Sequence, residues 1–299
     1  MNAMDAVLPL TLRDAPRARI LLRSLARHFE GLGTLWLVCP AAELSAIERE
    51  VAPASDGLNI AFLRESELVP ELRHTPWLKG WYRQQLVKLA IHERVRSELY
   101  LTLDADVICV KRASPSAIAP LGLAPCHTVE RDLHGDWYRS AQALLGLEAP
   151  RKRISHNVTP ALLHRRAVAE LAAYLEQRAH DGAFARGLRG ISQRLVAAAA
   201  GTRCWRLLLA AGAPWTEYAL YYTFLEATGR FERYHFHSDS SLYDDEGSFW
   251  RADARDFSRW SPTPALRSDG APWFVVVQSN TGVSPAEVEA KLQGCVAHV

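Results

Sequence analysis

Apolar residues fall into short runs separated by helical stretches. Ala6 to Leu10 reads as a strand, followed by the polar turn Thr11-Leu12-Arg13-Asp14 and a helix to Phe29 that carries Ile20, Leu21, Ser24, Leu25 and Phe29 on one side. Leu35 to Cys39 predicts a second strand, Pro40 to Val51 a helix, and Leu58 to Leu63 a third strand. This alternation predicts parallel βαβ units with right-handed crossovers. A long helical stretch, Trp77 to Val95, precedes Leu99 to Leu103, which is apolar on both faces apart from Thr102 and so fits a central strand covered by helices on each side. Beyond Val110 the pattern is less regular to Glu130. Thr159 and Pro160 then predict the start of a helix to about Ala179, Thr216 caps another from Glu217 to Thr228, and Trp273 to Gln278 reads as a last buried strand. Ser284-Pro285-Ala286-Glu287 has the form of a capping box for a closing helix to about Val296.

Composition narrows the class. The chain has 299 residues, 48% of them apolar and 23% charged, as in a folded globular protein, and the formal charge of +2 gives no reason to expect nucleic-acid binding. The five cysteines are scattered with no paired metal spacing and read as buried, reduced thiols. No run reaches the length of a membrane span, and the first residues lack a basic signal region, so a cytoplasmic location is expected. Between Gly182 and Thr216 the only charges are Arg186, Arg189, Arg194, Arg203 and Arg206, set among apolar residues. A basic amphipathic segment of this kind suits peripheral contact with an anionic membrane, and a helical subdomain with solvated arginines fits the same pattern.

Candidate chemistry gathers where the fourth strand ends. Asp104 and Asp106 are two apart, so both carboxylates can face one side, and ligands in open α/β sheets bind outside the carboxyl ends of strands. Two acids so placed suit Mg²⁺ or Mn²⁺, held by one or two carboxylates plus substrate phosphates. On the preceding helix Trp81, Gln85, Lys88 and His92 share a stripe, where Lys88 would offset phosphate charge and Gln85 would bond hydroxyls. Gln278, at the end of the last strand, is a further candidate donor contact.

Leu101 to Val110 resembles the Asp-x-Asp strand of GT-A-type glycosyltransferases. The helix Gly-Trp-Tyr-Arg-Gln-Gln-Leu-Val-Lys-Leu just before it resembles that of a group of bacterial GT-A-like enzymes. The resemblance implies one α/β GT-A domain over residues 1–299, with a mostly parallel central sheet flanked by helices, a donor half over 1–110 and a more helical acceptor half over 111–299. It implies transfer of a sugar from a nucleoside diphosphate, with a UDP-sugar expected, to a glycan or lipid-linked hydroxyl in bacterial polysaccharide synthesis. The turn residues Thr11, Arg13 and Asp14 would then contact the nucleotide. Asp106 and Asp104 would hold the metal, Asp104 alternatively the ribose, with His237 as a third ligand. Glu217 would be the base of an inverting reaction, although a carboxylate in a helix's first turn is also ordinary dipole chemistry. Two other readings remain open. A strand ending in Asp-x-Asp-Val is also similar to that of haloacid-dehalogenase-like phosphatases, and the same fold could bind a nucleotide sugar or glycan without turnover.

Overall fold

The computed structural model describes residues 3–75, 78–129, 135–148, 154–155, 159–180, 203–211, 215–250, 256–267 and 269–296. The strand β1 (Met4–Pro9) is buried along its whole length, including Asp5. The Asp5 carboxylate accepts hydrogen bonds from the backbone N–H groups of Thr34 at 2.8 Å and Arg96 at 2.6 Å, tying the starts of two neighbouring strands together.

After β1 come α1 (Ala15–His28), β2 (Leu32–Cys39), α2 (Leu44–Val51), β3 (Asn59–Arg64), α3 (Gly80–Ala90) and β4 (Leu99–Thr102). β1 pairs in parallel with β2 on one side and β4 on the other, and β2 pairs in parallel with β3. The five-stranded order is β3-β2-β1-β4-β8, the last being an antiparallel edge strand, Ala161–His164, in register Leu101 opposite Leu162. The order reverses between β1 and β4, which is the switch point where open α/β sheets bind ligands. The turn after β1 and the two aspartates after β4 therefore border the same crevice.

The remaining strands form two smaller sheets. β5 (Val107–Cys109) pairs antiparallel with β10 (Phe274–Val276), and β6 (Ala124–Val129) lies between β7 (Ile154–Ser155) and β9 (His235–Ser238). Later helices are α4 (Gly135–Leu145), α5 (Arg165–His180), α6 (Cys204–Ala211), α7 (Glu217–Ala227) and α8 (Pro285–Val296). Alternate residues of β1 serve opposite layers. Val7 packs with Leu86, Leu89, Leu171 and Phe224 of α3, α5 and α7, while Ala6 and Leu8 pack with Leu21, Leu22 and Leu25 of α1.

The structure differs from expectation at Thr159 and Pro160, which do not start a helix. The short apolar run Ala161-Leu162-Leu163 is compatible with either element, and pairing against β4 makes it a strand, with α5 starting at Arg165. The helix expected over Trp77 to Val95 is α3, only Gly80–Ala90, tightened at its end into a 3-10 turn. The capping box is present: the Glu287 carboxylate accepts the Ser284 N–H at 2.8 Å, and the Ser284 hydroxyl accepts the Glu287 N–H at 3.3 Å. Arg186, Arg189 and Arg194 lie outside the described residues. Arg206 is buried, with its guanidinium bonded to the Leu68 carbonyl, Glu71 and Glu93, so it offers nothing to a membrane surface. Among the described residues no helix is long and apolar enough to cross a membrane.

Candidate active site

Lys88 lies in the last turn of α3, and its side chain is only 1% exposed. Its three N–H bonds have three partners: Asp104 Oδ1 at 2.9 Å, Glu217 Oε1 at 3.1 Å and the Thr159 hydroxyl at 2.9 Å. Thr159 continues to the Tyr218 hydroxyl at 3.0 Å, and Tyr218 to Thr102 at 2.8 Å. Burial works against the ammonium charge, but Asp104 and Glu217 together outweigh it and raise the Lys88 pKa well above its ordinary value. Burial also raises the Glu217 carboxyl, which Lys88 pulls down and Asp104 pushes further up.

Asp106 is held from the opposite side. Its backbone carbonyl accepts the Val277 N–H at 3.0 Å and its carboxylate accepts the Ser279 N–H at 2.8 Å. Burial, then the neighbouring Asp104 charge, raises its carboxyl to about 6. Arg17 of α1 reaches the same segment, donating to the Val277 carbonyl at 3.1 Å and to the Val283 carbonyl. Burial lowers the Arg17 pKa, and Asp106 and Asp14 offset that effect only in part. The turn after β1 is closed by the Thr11 hydroxyl, which donates to Asp14 at 2.8 Å, and Glu43 accepts the Leu12 N–H at 2.7 Å. Asp14 makes no side-chain cap to α1. Arg13 is exposed on this turn.

Several expected site residues thus meet, some in unexpected roles. Asp104, Lys88, Glu217 and Gln85 form one contact group in which Lys88, Glu217 and Gln85 are buried and Asp104 is 39% exposed, and the Gln85 amide faces Glu217. Gln85 is therefore turned toward Glu217 and not toward a ligand's hydroxyls. Glu217 is itself 1% exposed and tied to Lys88, which does not suit a base that must reach an acceptor. Gln278 lies between the two residues that pin Asp106. His237 does not join the aspartates: it stacks on Phe231 at 4.4 Å, on a strand paired with β6. Among the described residues no three His, Cys, Asp or Glu side chains gather as a metal cluster.

A divalent ion still fits the donor set. Three carboxylates, Asp104, Asp106 and Glu217, face two cations, Lys88 and Arg17, and the raised Asp106 carboxyl marks negative charge that a hard cation would relieve. Two carboxylates suffice when substrate phosphates complete the shell.

Sequence reasoning missed Arg17, Thr159 and Tyr218. A signal existed for Arg17, which falls one turn before Leu21 on the apolar stripe of α1 and is buried there. A charge on such a stripe needs buried partners.

Known structures share this architecture. The bifunctional glycosyltransferase WbbM aligns over 98% of this chain and 50% of its own, with 11% identity and a TM-score of 0.53. Mouse xyloside xylosyltransferase 1 aligns over 95% of this chain and 100% of its own, with 12% identity and a TM-score of 0.48. LgtC, a galactosyltransferase solved with donor and acceptor sugar analogues, aligns over 97% and 95%, with 11% identity and a TM-score of 0.48. At such identities the likeness is one of fold, and the fold is GT-A. No curated protein matches the sequence. The family model that does match covers residues 1–298, and by that match the chain belongs to DUF6492, a family of unknown function.

Proposed function

We propose that the protein is a metal-dependent glycosyltransferase that takes a sugar from a nucleoside diphosphate, a UDP-sugar being the expected donor, and passes it to a hydroxyl of a glycan or lipid-linked glycan. The observation that carries this reading is the pair Asp104 and Asp106 at the β1/β4 switch point, one carboxylate fixed by Lys88 and the other by the Ser279 N–H. In this reading residues 1–110 are the donor half and 111–299 the acceptor half.

Mn²⁺ or Mg²⁺ bound by the two aspartates would supply Lewis-acid stabilisation of the diphosphate leaving group. Lys88 acts by orienting Asp104 and neutralising part of the local negative charge, since all three of its N–H bonds are committed within the protein. In this reading Glu217, buried against Lys88, positions the lysine and is not the base. Thr11, Arg13 and Asp14 border the crevice from β1 and are assigned to the nucleoside, with Gln278, between the two residues bonded to Asp106, as a further donor contact. His237, stacked on Phe231, is not a metal ligand in this reading.

The test is a thermal-shift panel of nucleoside diphosphates and nucleotide sugars, with and without Mn²⁺, on wild type and Asp106→Ala. A ligand that binds only the folded form raises its melting point by mass action. A Mn²⁺-dependent shift with one diphosphate, absent in the variant, is expected. No shift with any nucleotide refutes the reading, and hydrolysis of a generic phosphoester in its place would favour the phosphatase.

A further inference from the structure

Trp81 is one of only three large apolar side chains among the described residues that stand substantially in solvent, the others being Leu12 and Leu121. Its ring is 42% exposed yet not loose. It meets Tyr82 edge-on at 4.9 Å and Trp137 of α4 at 5.8 Å with 35° between planes, and Tyr82 meets the buried Trp215 at 6.2 Å. An exposed indole is thus buttressed by a chain of rings that reaches the core. Rigid aromatic surface of this kind binds at low conformational cost.

The placement of this ring is specific. Trp81, Gln85 and Lys88 follow one another along a single stripe of α3. Lys88 ends the stripe at Asp104. Seven residues separate Trp81 from Lys88, roughly 10 Å along the helix axis. Because α3 leads into β4 within a parallel sheet, its N-terminal end lies toward the carboxyl ends of the strands, the side that carries the aspartates. The shelf therefore stands on the same side of the sheet as the aspartates, with the buried Gln85 and Lys88 between them on the helix.

We infer that Trp81 and Trp137 form a stacking shelf for a sugar ring of the acceptor, which would make the acceptor a saccharide with at least one ring beyond the one that receives the transferred sugar. This inference rests on the transferase reading. A pyranose offers a face of C–H groups to an aromatic ring and a rim of hydroxyls to polar neighbours. Asp136 and Arg139, paired with each other at the start of α4 beside Trp137, supply an acceptor and donors for that rim. Their mutual neutralisation leaves no net charge to attract a phosphate, which favours a sugar over the donor's nucleotide as occupant.

The experiment applies wild type, Trp81→Ala and Trp81→Phe to an array of immobilised neutral and acidic oligosaccharides, alongside the nucleotide thermal-shift panel. Wild type is expected to retain a subset of the glycans, Trp81→Ala to bind them at least about 10-fold more weakly, and Trp81→Phe to fall between. The nucleotide shift is expected to be the same in all three proteins. Equal retention by wild type and Trp81→Ala overturns the shelf, as does the absence of any retained glycan, or retention displaced by free nucleosides and not by the free sugar. If wild type shows no nucleotide shift while Trp81→Ala still loses glycan binding, the transferase reading falls and the shelf stands; a nucleotide shift without glycan binding gives the reverse result.

Discussion

Lys88 and Glu217 are both about 99% removed from solvent and lie 3.1 Å apart, but their replacement should have unequal effects. In Lys88→Met the cation disappears while Glu217 stays buried with no other cation in contact and Asp104 loses its partner. Breaking a buried pair by removing one member typically costs about 3–5 kcal/mol, because the remaining charge is left uncompensated. In Glu217→Gln the ammonium keeps Asp104 at 2.9 Å and Thr159 at 2.9 Å, and the lost carboxylate is one that burial had already pushed toward its neutral form. That loss should cost about 1–2 kcal/mol, the worth of one hydrogen bond to a charged group. The double variant removes both charges from the pocket and should be more stable than Lys88→Met alone, by a coupling of about 1–3 kcal/mol. Urea unfolding at pH 7.5, followed by tryptophan fluorescence, measures all four proteins, provided the slopes agree. Equal midpoints for the two single variants, or a double variant no more stable than Lys88→Met, would refute the view that Lys88 holds this site together.

Other outcomes follow from the same structure. Asp106→Asn removes a charge that burial and Asp104 make costly, with the carboxyl raised to about 6, and keeps an oxygen for the Ser279 N–H; above pH 7 without ligand it should gain on the order of 1 kcal/mol in urea unfolding while losing any Mn²⁺-dependent nucleotide shift. His235, buried against the Tyr221 hydroxyl at 2.8 Å, is lowered to about 3 chiefly by burial. The unfolded chain therefore binds this proton first as pH falls below about 6.5, and stability present above that pH is lost between about 6.5 and 3 at up to about 1.4 kcal/mol per pH unit. His235→Phe should flatten the plot of unfolding free energy against pH by one proton in that window, and an unchanged slope would contradict the assignment. Arg206→Met leaves Glu71 buried with the Arg203 N–H but without this cation, and should cost about 3 kcal/mol by the same measurement.

The strands from β1 to β4 and the helices between them were legible because each carries its own apolar period. The aspartates were legible because a strand's carboxyl end is a place that topology defines. What the chain order hid was which polar residues would be covered. On α3 alone, Gln85 and Lys88 form a polar stripe with the appearance of a ligand surface. Glu217 and Thr159, 129 and 71 residues further on, turn that stripe into an interior contact. Helix periodicity cannot register such a partner, since burial there is decided by α7 packing on α3. His237 shows the converse: its place on a strand was readable, but the pairing of that strand with β6 was not, and Phe231 is its neighbour in place of a metal site. The apolar run after Pro160 was ambiguous for a third reason, being only three residues long, so only the open edge of β4 settles its form.

The two aspartates are fixed by different parts of the chain, and this bears on how a donor would be held. Asp104 takes its orientation from Lys88, whose own position depends on Thr159 before β8 and Glu217 at the start of α7. Asp106 takes its orientation from the turn after β10, which Arg17 braces by bonding the Val277 carbonyl. Neither carboxylate can shift without disturbing a contact from the second half of the sequence. In the proposed reading, a diphosphate drawn to these oxygens would therefore also load α7 and the 277–279 turn. An effect on acceptor binding then requires only that those elements differ slightly between the free and loaded states. In that reading the buried Lys88 and Glu217 would link Asp104 to α7 and so to the acceptor half.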